Sequence, residues 1–212
     1  MSEQLLMSDA DQSGDQVITY FLHGNCYVNM TNRCTLRCKF CPKFNHVWDV
    51  QSYSLRLYSE PDAKKILDSI GDATRFNEIV FCGLGESSLR LDTMLEVAHT
   101  LKKENVTLRL NTDGLANLIH KRDVTKEMAD CIDRFSISLN AHNEKTYNYH
   151  CRPQHFNAYT EVIRFIRKLR LHTSDIVITA IDGLEGVDIS ACEQIAQMLD
   201  VRFKKRILDE VG

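Results

Sequence analysis

Three closely spaced cysteines are the strongest chemical feature of this sequence. Cys34, Cys38 and Cys41 lie within one eight-residue segment, CTLRCKFC, so a single loop can direct three thiolates at one centre. The segment holds no fourth Cys or His, whereas structural zinc sites almost always use four protein ligands. Thiolates also hold iron-sulfur clusters. A four-iron cluster on three cysteines would leave one iron open to a small molecule, which is a catalytic arrangement.

Two other interpretations of these cysteines stay open. Closely spaced thiols can serve as redox-sensitive groups. A side chain distant in sequence can also complete a zinc site, and the candidates for that role are Cys26, His46, His150 and Cys151.

The remaining composition indicates one globular domain. A chain of 212 residues with 43% hydrophobic content can bury a sizeable core, and a net charge of -3 gives no overall attraction to nucleic acid or anionic membranes. No run approaches the roughly 18 apolar residues of a spanning helix, and the start of the chain does not resemble a signal peptide. We therefore expect a cytoplasmic protein with no membrane association, a polar flexible segment over 1–16 and one domain over 17–212.

Strand-like runs alternate with amphipathic helical windows along that domain. The predicted strands cover 26–30, 78–82, 106–110, 134–139, 176–181 and 201–207, and helical spacing of apolar residues marks 63–70, 94–101, 124–132, 158–169 and 192–199. This alternation forces parallel pairing with right-handed crossovers. Such a sheet can be an open doubly wound sheet or a closed or partial barrel, and a full eight-unit barrel takes roughly 250 residues. The sequence therefore predicts a single-domain α/β fold, a partial (βα)6 TIM-like barrel with its active face at the strand carboxyl ends.

Glycines and a carboxylate follow the second predicted strand, at that face. Gly83 and Gly85 would let the backbone approach a ligand closely, and Glu86 could accept hydrogen bonds from an ammonium group. The plain alternative is a glycine turn that leads into a helix capped by Ser87 or Ser88.

Polar residues also follow the next two predicted strands. Asn111 follows the third strand, where a simple turn is an equally good interpretation. Ser136, Ser138 and Asn140 alternate along the fourth strand and its end, so period-two geometry predicts that they share one face. That face would be either the lumen of the barrel or a plain polar face of the strand.

The cysteine spacing, with Phe40 before the third cysteine, resembles the signature loop of the radical S-adenosylmethionine (SAM) superfamily. The resemblance implies that Cys34, Cys38 and Cys41 bind one 4Fe–4S cluster. It also implies that the open iron binds SAM, and that reductive cleavage yields a 5'-deoxyadenosyl radical for hydrogen abstraction from a substrate. An external one-electron donor, flavodoxin or ferredoxin, would supply the electron.

The same resemblance implies which residues contact SAM. The segment after the second strand is similar to the superfamily's Gly-Gly-Glu-Pro element, which holds the methionine amino group, although Leu84 and Ser87 replace the second glycine and the proline. An aromatic residue in the cysteine loop would pack by the adenine, and polar residues at later strand ends would contact the rest of the cofactor. The implied SAM-binding residues are Phe40, Gly83, Gly85, Glu86, Asn111, Ser138 and Asn140.

Several segments resemble a short subgroup, the TatD-associated radical SAM proteins. They are Met-Thr-Asn-Arg-Cys at 30–34, Asn-Ala-His-Asn at 140–143 with Tyr147, Cys-Arg-Pro at 151–153 and Gly-Val-Asp-Ile-Ser-Ala-Cys at 186–192. The subgroup implies a functional link to a TatD-type nuclease and leaves the substrate unknown. The wide mouth of a partial barrel suits a macromolecular substrate. The alternative to an enzyme is a non-catalytic zinc or iron-sulfur binding module that acts as a partner of such a nuclease.

Overall fold

One mostly parallel sheet organises residues 16–208, which are the residues that the computed structural model describes. Its strands are β1 (Thr19–Leu22), β2 (Asn25–Val28), β5 (Ile79–Phe81), β6 (Leu108–Thr112), β7 (Arg134–Ser138), β8 (Ile176–Asp182) and β9 (Arg202–Ile207), in that spatial order. β1 pairs with β2 in antiparallel fashion, and every other neighbouring pair is parallel. A separate hairpin joins β3 (Asp49–Val50) to β4 (Tyr53–Ser54).

Helices connect the parallel strands. They are α1 (Ala63–Ile70), α2 (Leu91–Leu101), α3 (Ala116–His120), α4 (Thr125–Ala129), α5 (Glu144–Cys151), α6 (Ala158–Leu169) and α7 (Ile189–Met198). Side-chain caps begin several of them: Asp62 accepts a hydrogen bond from the Lys65 amide, and Asp188 accepts one from the Ala191 amide. None of the helices described between residues 16 and 208 is long and apolar enough to cross a membrane.

The two faces of the sheet have different coverings. On one face, strand residues such as Phe81, Leu110 and Ile137 are fully buried in a core shared with the helices. On the other face, aromatic and aliphatic residues of the first strands pack against Leu55, just after the hairpin. Beyond that cluster the second face carries partly exposed polar side chains, which are Arg109, Asn111, Ser136 and Ser138.

The predicted fold class is confirmed. All six predicted strands occur, in parallel and in chain order, and the sheet stays open with β1 and β9 at its edges. The prediction omitted β1, the β3–β4 hairpin, α3 and α5, which are short or carry few apolar residues. β6 runs two residues further than expected, so Asn111 lies inside the strand. The predicted flexible segment 1–16 lies outside the described residues except for Gln16, and the end of the predicted domain, 209–212, lies outside them as well.

Candidate functional site

The cysteine loop, residues 34–41, follows β2 and is held by the end of α5. The Arg37 amide donates to the Cys151 carbonyl at 2.9 Å, and the Lys39 amide donates to the His150 carbonyl at 2.8 Å. The carbonyl groups of the last helical turn have no partner inside the helix. The loop therefore satisfies the last carbonyls of α5 and takes a fixed position against it.

The three thiols of this loop lie in buried or half-buried positions. Burial raises the pKa of the Cys34 thiol, and the nearby Asp113 and Glu86 carboxyls raise it further. The neighbouring Cys151 thiol and then burial raise the pKa of Cys38. The thiols are therefore neutral near pH 7, and a metal that bound them would displace their protons. Within residues 16–208 no three His, Cys, Asp or Glu side chains converge on a point where one metal ion would contact all of them.

The glycine loop, residues 83–86, lies directly against the segment that leads into the cysteine loop. A Cβ added at Gly83 would lie 2.3 Å from the Asn29 side-chain oxygen, and one added at Gly85 would lie 2.1 Å from the Thr31 carbonyl oxygen. The Glu86 amide donates to the Arg33 carbonyl at 2.8 Å. Gly85 is thus needed for close contact between two backbone segments and Gly83 for close contact with the Asn29 side chain, whereas the sequence suggested close approach to a ligand.

Glu86 is 4% exposed and joins the glycine loop to the end of β6. Its carboxylate accepts hydrogen bonds from the Ser88 amide at 3.1 Å, the Thr112 hydroxyl at 2.9 Å and the Asp113 amide at 2.7 Å. Glu86 therefore caps the short 3-10 helix Ser87–Arg90, a role that the sequence alternative gave to Ser87 or Ser88. Because an ionised carboxylate has about four acceptor positions, one remains for another donor.

Asp113 lies between Glu86 and the cysteine loop and is not among the site residues predicted from the sequence. One of its carboxyl oxygens accepts from the Thr35 hydroxyl at 3.0 Å, and the other accepts from the Leu115 amide at 2.9 Å. Burial and the charge of Glu86 raise its pKa well above the usual range. One sequence feature could have identified Asp113 as a site residue. It is an acidic residue directly after a strand, at the sheet edge where the other polar site residues were expected.

The remaining predicted SAM-binding residues occupy three different environments. Asn111 and Ser138 lie half-exposed on the polar face of the sheet, and Arg109 donates to the Asn111 side-chain oxygen at 3.3 Å. Phe40 is half-buried and packs against the main core. Asn140 lies beyond the end of β7 with a left-handed φ of 60°. The alternation expected through Ser136 and Ser138 therefore ends before Asn140, because this backbone conformation is not that of a strand.

Two buried polar atoms beside the cysteine loop have no hydrogen-bond partner. They are the side-chain oxygen of Asn140 and the hydroxyl of Tyr147. Burial raises the pKa of Tyr147, and the neighbouring Cys151, Asp113 and Cys38 raise it further, which places the phenol among the site residues. Buried polar atoms normally have partners. This arrangement therefore fits a site that receives a cofactor with polar atoms.

An open cavity of about 570 Å³ borders the cysteine loop. This volume lies within the usual range of small-molecule sites, roughly 300–1,000 Å³. Cys34 and Thr35 form part of its wall, and Arg37, Lys43 and Trp48 form another part. The cavity therefore combines access to one site cysteine with cationic and aromatic side chains.

The fold and the loop together define a class of protein, a partial parallel α/β barrel with cysteines and carboxyl groups at the carboxyl ends of its strands. Residues 28–199 match the Radical SAM superfamily. The chain belongs to this superfamily. Its members are enzymes that use a 4Fe–4S cluster and SAM and that generally need a one-electron donor. These two cofactors are therefore those of this chain.

Solved structures of superfamily members share the fold. TYW1 with a lysine-pyruvate adduct bound is 15% identical, with a TM-score of 0.60 over 90% of this chain and 67% of that one. A radical SAM methyltransferase from Sphaerobacter thermophilus is 15% identical, with a TM-score of 0.59 over 89% and 68%. Streptococcus suis SuiB bound to S-adenosylmethionine is 13% identical, with a TM-score of 0.60 over 88% of this chain and only 40% of SuiB. Comparison with curated protein sequences finds no match.

Proposed function

We propose that this protein binds its cluster through Cys34, Cys38 and Cys41 and cleaves SAM reductively for hydrogen abstraction from a substrate. When bound, the reduced cluster supplies the electron that releases a 5'-deoxyadenosyl radical from SAM. The observation that carries the proposal is the placement of the cysteine loop beside the unpartnered buried atoms of Asn140 and Tyr147. A cluster and a bound SAM would supply polar partners at that place.

The chain's own residues would bind and orient SAM. Glu86 has an acceptor position left for an ammonium group, and charge-assisted hydrogen bonds of this kind are the strong ones. Gly83 and Gly85 would act indirectly, because they allow the glycine loop to pack against the segment before the cysteine loop. The remaining contacts that we propose are those of Phe40 with the adenine and of Asn111, Ser138 and Asn140 with the rest of SAM.

The proposal is tested by measuring SAM cleavage directly. Protein purified without oxygen, reconstituted and reduced with dithionite should contain roughly four iron and four labile sulfide per chain and should form 5'-deoxyadenosine from SAM. One tightly bound zinc without labile sulfide would instead support the non-catalytic binding module. An intact cluster that yields no product, with or without candidate substrates, would contradict catalysis.

We further propose that the chain is a TatD-associated radical SAM protein. Support comes from the sequence segments at 30–34, 140–143, 151–153 and 186–192. In this proposal the protein is cytoplasmic, a flavodoxin or ferredoxin delivers the electron, and a TatD-type nuclease acts in the same process. The open sheet edge at β9 is consistent with a wide mouth, so we propose a macromolecular substrate.

Glu86→Gln should weaken SAM binding about tenfold or more. Removal of the charge takes away the strongest acceptor for the SAM ammonium group, and hydrogen bonds to charged groups contribute roughly 1.5–3 kcal/mol. Calorimetric titration of the reconstituted protein with SAM measures the change. The matched control is Glu161→Gln, since Glu161 pairs with Arg164 on the surface of α6. Equal SAM affinity in Glu86→Gln and wild type would refute this role of Glu86.

A further inference from the structure

Cys151 is a fourth cysteine at the site, and neither the signature loop nor the proposed reaction uses it. It ends α5 and is fully buried, and the two residues that flank Cys38 are bonded to the end of that helix. The Arg37 amide donates to the Cys151 carbonyl at 2.9 Å and the Lys39 amide donates to the His150 carbonyl at 2.8 Å, so the backbone holds Cys38 beside Cys151. The contact therefore follows from how the loop packs on the helix.

Asn140 determines whether the Cys151 thiol can donate a hydrogen bond. The Asn140 side-chain amide donates to the Cys151 sulfur at 3.7 Å. The Asn140 backbone is held in turn, since its amide donates to the Thr179 carbonyl at 3.0 Å. Cys151 thus accepts from Asn140 and keeps its S–H for another acceptor, and the Cys38 thiol lies near enough for Cys151 to raise its pKa. A thiolate at Cys38 would be a better acceptor than a thiol.

We infer that Cys151 is a positioning residue for the cluster, whose S–H donates a hydrogen bond to the Cys38 thiolate and raises the reduction potential of the cluster. This inference rests on the proposed function, in which Cys38 ligates iron. A donated hydrogen bond withdraws negative charge from the ligand sulfur, so the added electron of the reduced cluster is better stabilised. Hydrogen bonds to the sulfurs are among the factors that set iron-sulfur potentials.

The test is a potentiometric titration of the reconstituted cluster, followed by electron paramagnetic resonance of the reduced form. Cys151→Ala removes the donor and should shift the midpoint potential to a more negative value than in wild type. Cys151→Ser keeps a donor and should give a less negative midpoint potential than Cys151→Ala. The matched control is Cys192→Ala, which removes another fully buried helical thiol, on α7, and should leave the potential unchanged.

An unchanged potential in Cys151→Ala with an intact cluster would overturn the inference and leave Cys151 as a core residue. Loss of the cluster in both Cys151 variants would also overturn it, because Cys151 would then be a ligand or a structural support. Failure of the proposed function is a separate result: wild-type protein would then bind no 4Fe–4S cluster at all.

Discussion

Replacing Cys34, Cys38 and Cys41 together by alanine is expected to abolish both the cluster and SAM cleavage. Iron and labile sulfide should fall from roughly four per chain to near zero, because alanine offers no metal ligand. Formation of 5'-deoxyadenosine should fall to the level of a protein-free control. Iron and sulfide analysis, visible absorbance and chromatography of the reaction products measure these losses.

The matched control is the double variant Cys131→Ala and Cys192→Ala. Both thiols are buried, Cys131 in the turn after α4 and Cys192 on α7, and burial raises the pKa of each to about 11. They are thus neutral core groups, and the double variant should keep its cluster and its activity. Robust SAM cleavage by the triple variant without any cluster would disprove the assignment of the three ligands.

Gly85→Ala should disrupt the contact between the glycine loop and the segment before the cysteine loop. The new Cβ would lie 2.1 Å from the Thr31 carbonyl oxygen and 2.7 Å from the Arg33 carbonyl oxygen, and neither backbone atom can rotate away. Overpacking of this kind costs about 1–3 kcal/mol. We also expect SAM affinity to fall about tenfold or more, because Glu86 is the next residue. Urea unfolding and calorimetric titration with SAM measure the two effects.

Gly71→Ala separates general destabilisation from a local effect. Gly71 has a φ of +65° but no heavy atom within 4 Å of an added Cβ. With a ψ of −132° this backbone lies outside the left-handed helical region, so the substitution should cost roughly 1–3 kcal/mol of backbone strain and leave SAM affinity unchanged. If Gly85→Ala bound SAM as wild type does, the two loops would not depend on each other as we propose.

The order of strands and helices could be predicted because the spacing of apolar residues along the chain alternates between that of a strand and that of a helix. α1 and α6 begin and end at the predicted residues, 63–70 and 158–169, since each carries a complete apolar stripe. α5 was missed because EKTYNYHC offers few apolar residues. Its one local signal was Asn143, which caps the helix by accepting from the Thr146 amide. Packing on the rest of the fold, which no local pattern encodes, stabilises this helix.

The surroundings of the cysteine loop could be predicted only in part. The spacing of Cys34, Cys38 and Cys41 identified the loop, because ligand spacing is a local property of the sequence. The contacts of Asp113 and Cys151 with that loop depend on tertiary structure and have no local signature. The left-handed backbone of Asn140 also ended a strand pattern that alternation alone would have continued, although asparagine is one of the residues that tolerate this conformation.

The residues that hold the cysteine loop in place lie far from it in the sequence, which limits how early in synthesis the loop can become ordered. Thr35 binds Asp113, 78 residues later, and Arg37 binds Cys151, later still. Contacts between such distant residues form late, since the entropy of closing long loops must be offset first. A nascent chain that has exposed its three cysteines therefore still lacks the groups that fix them. The cysteine loop can therefore take its final position only after α5 has been synthesised.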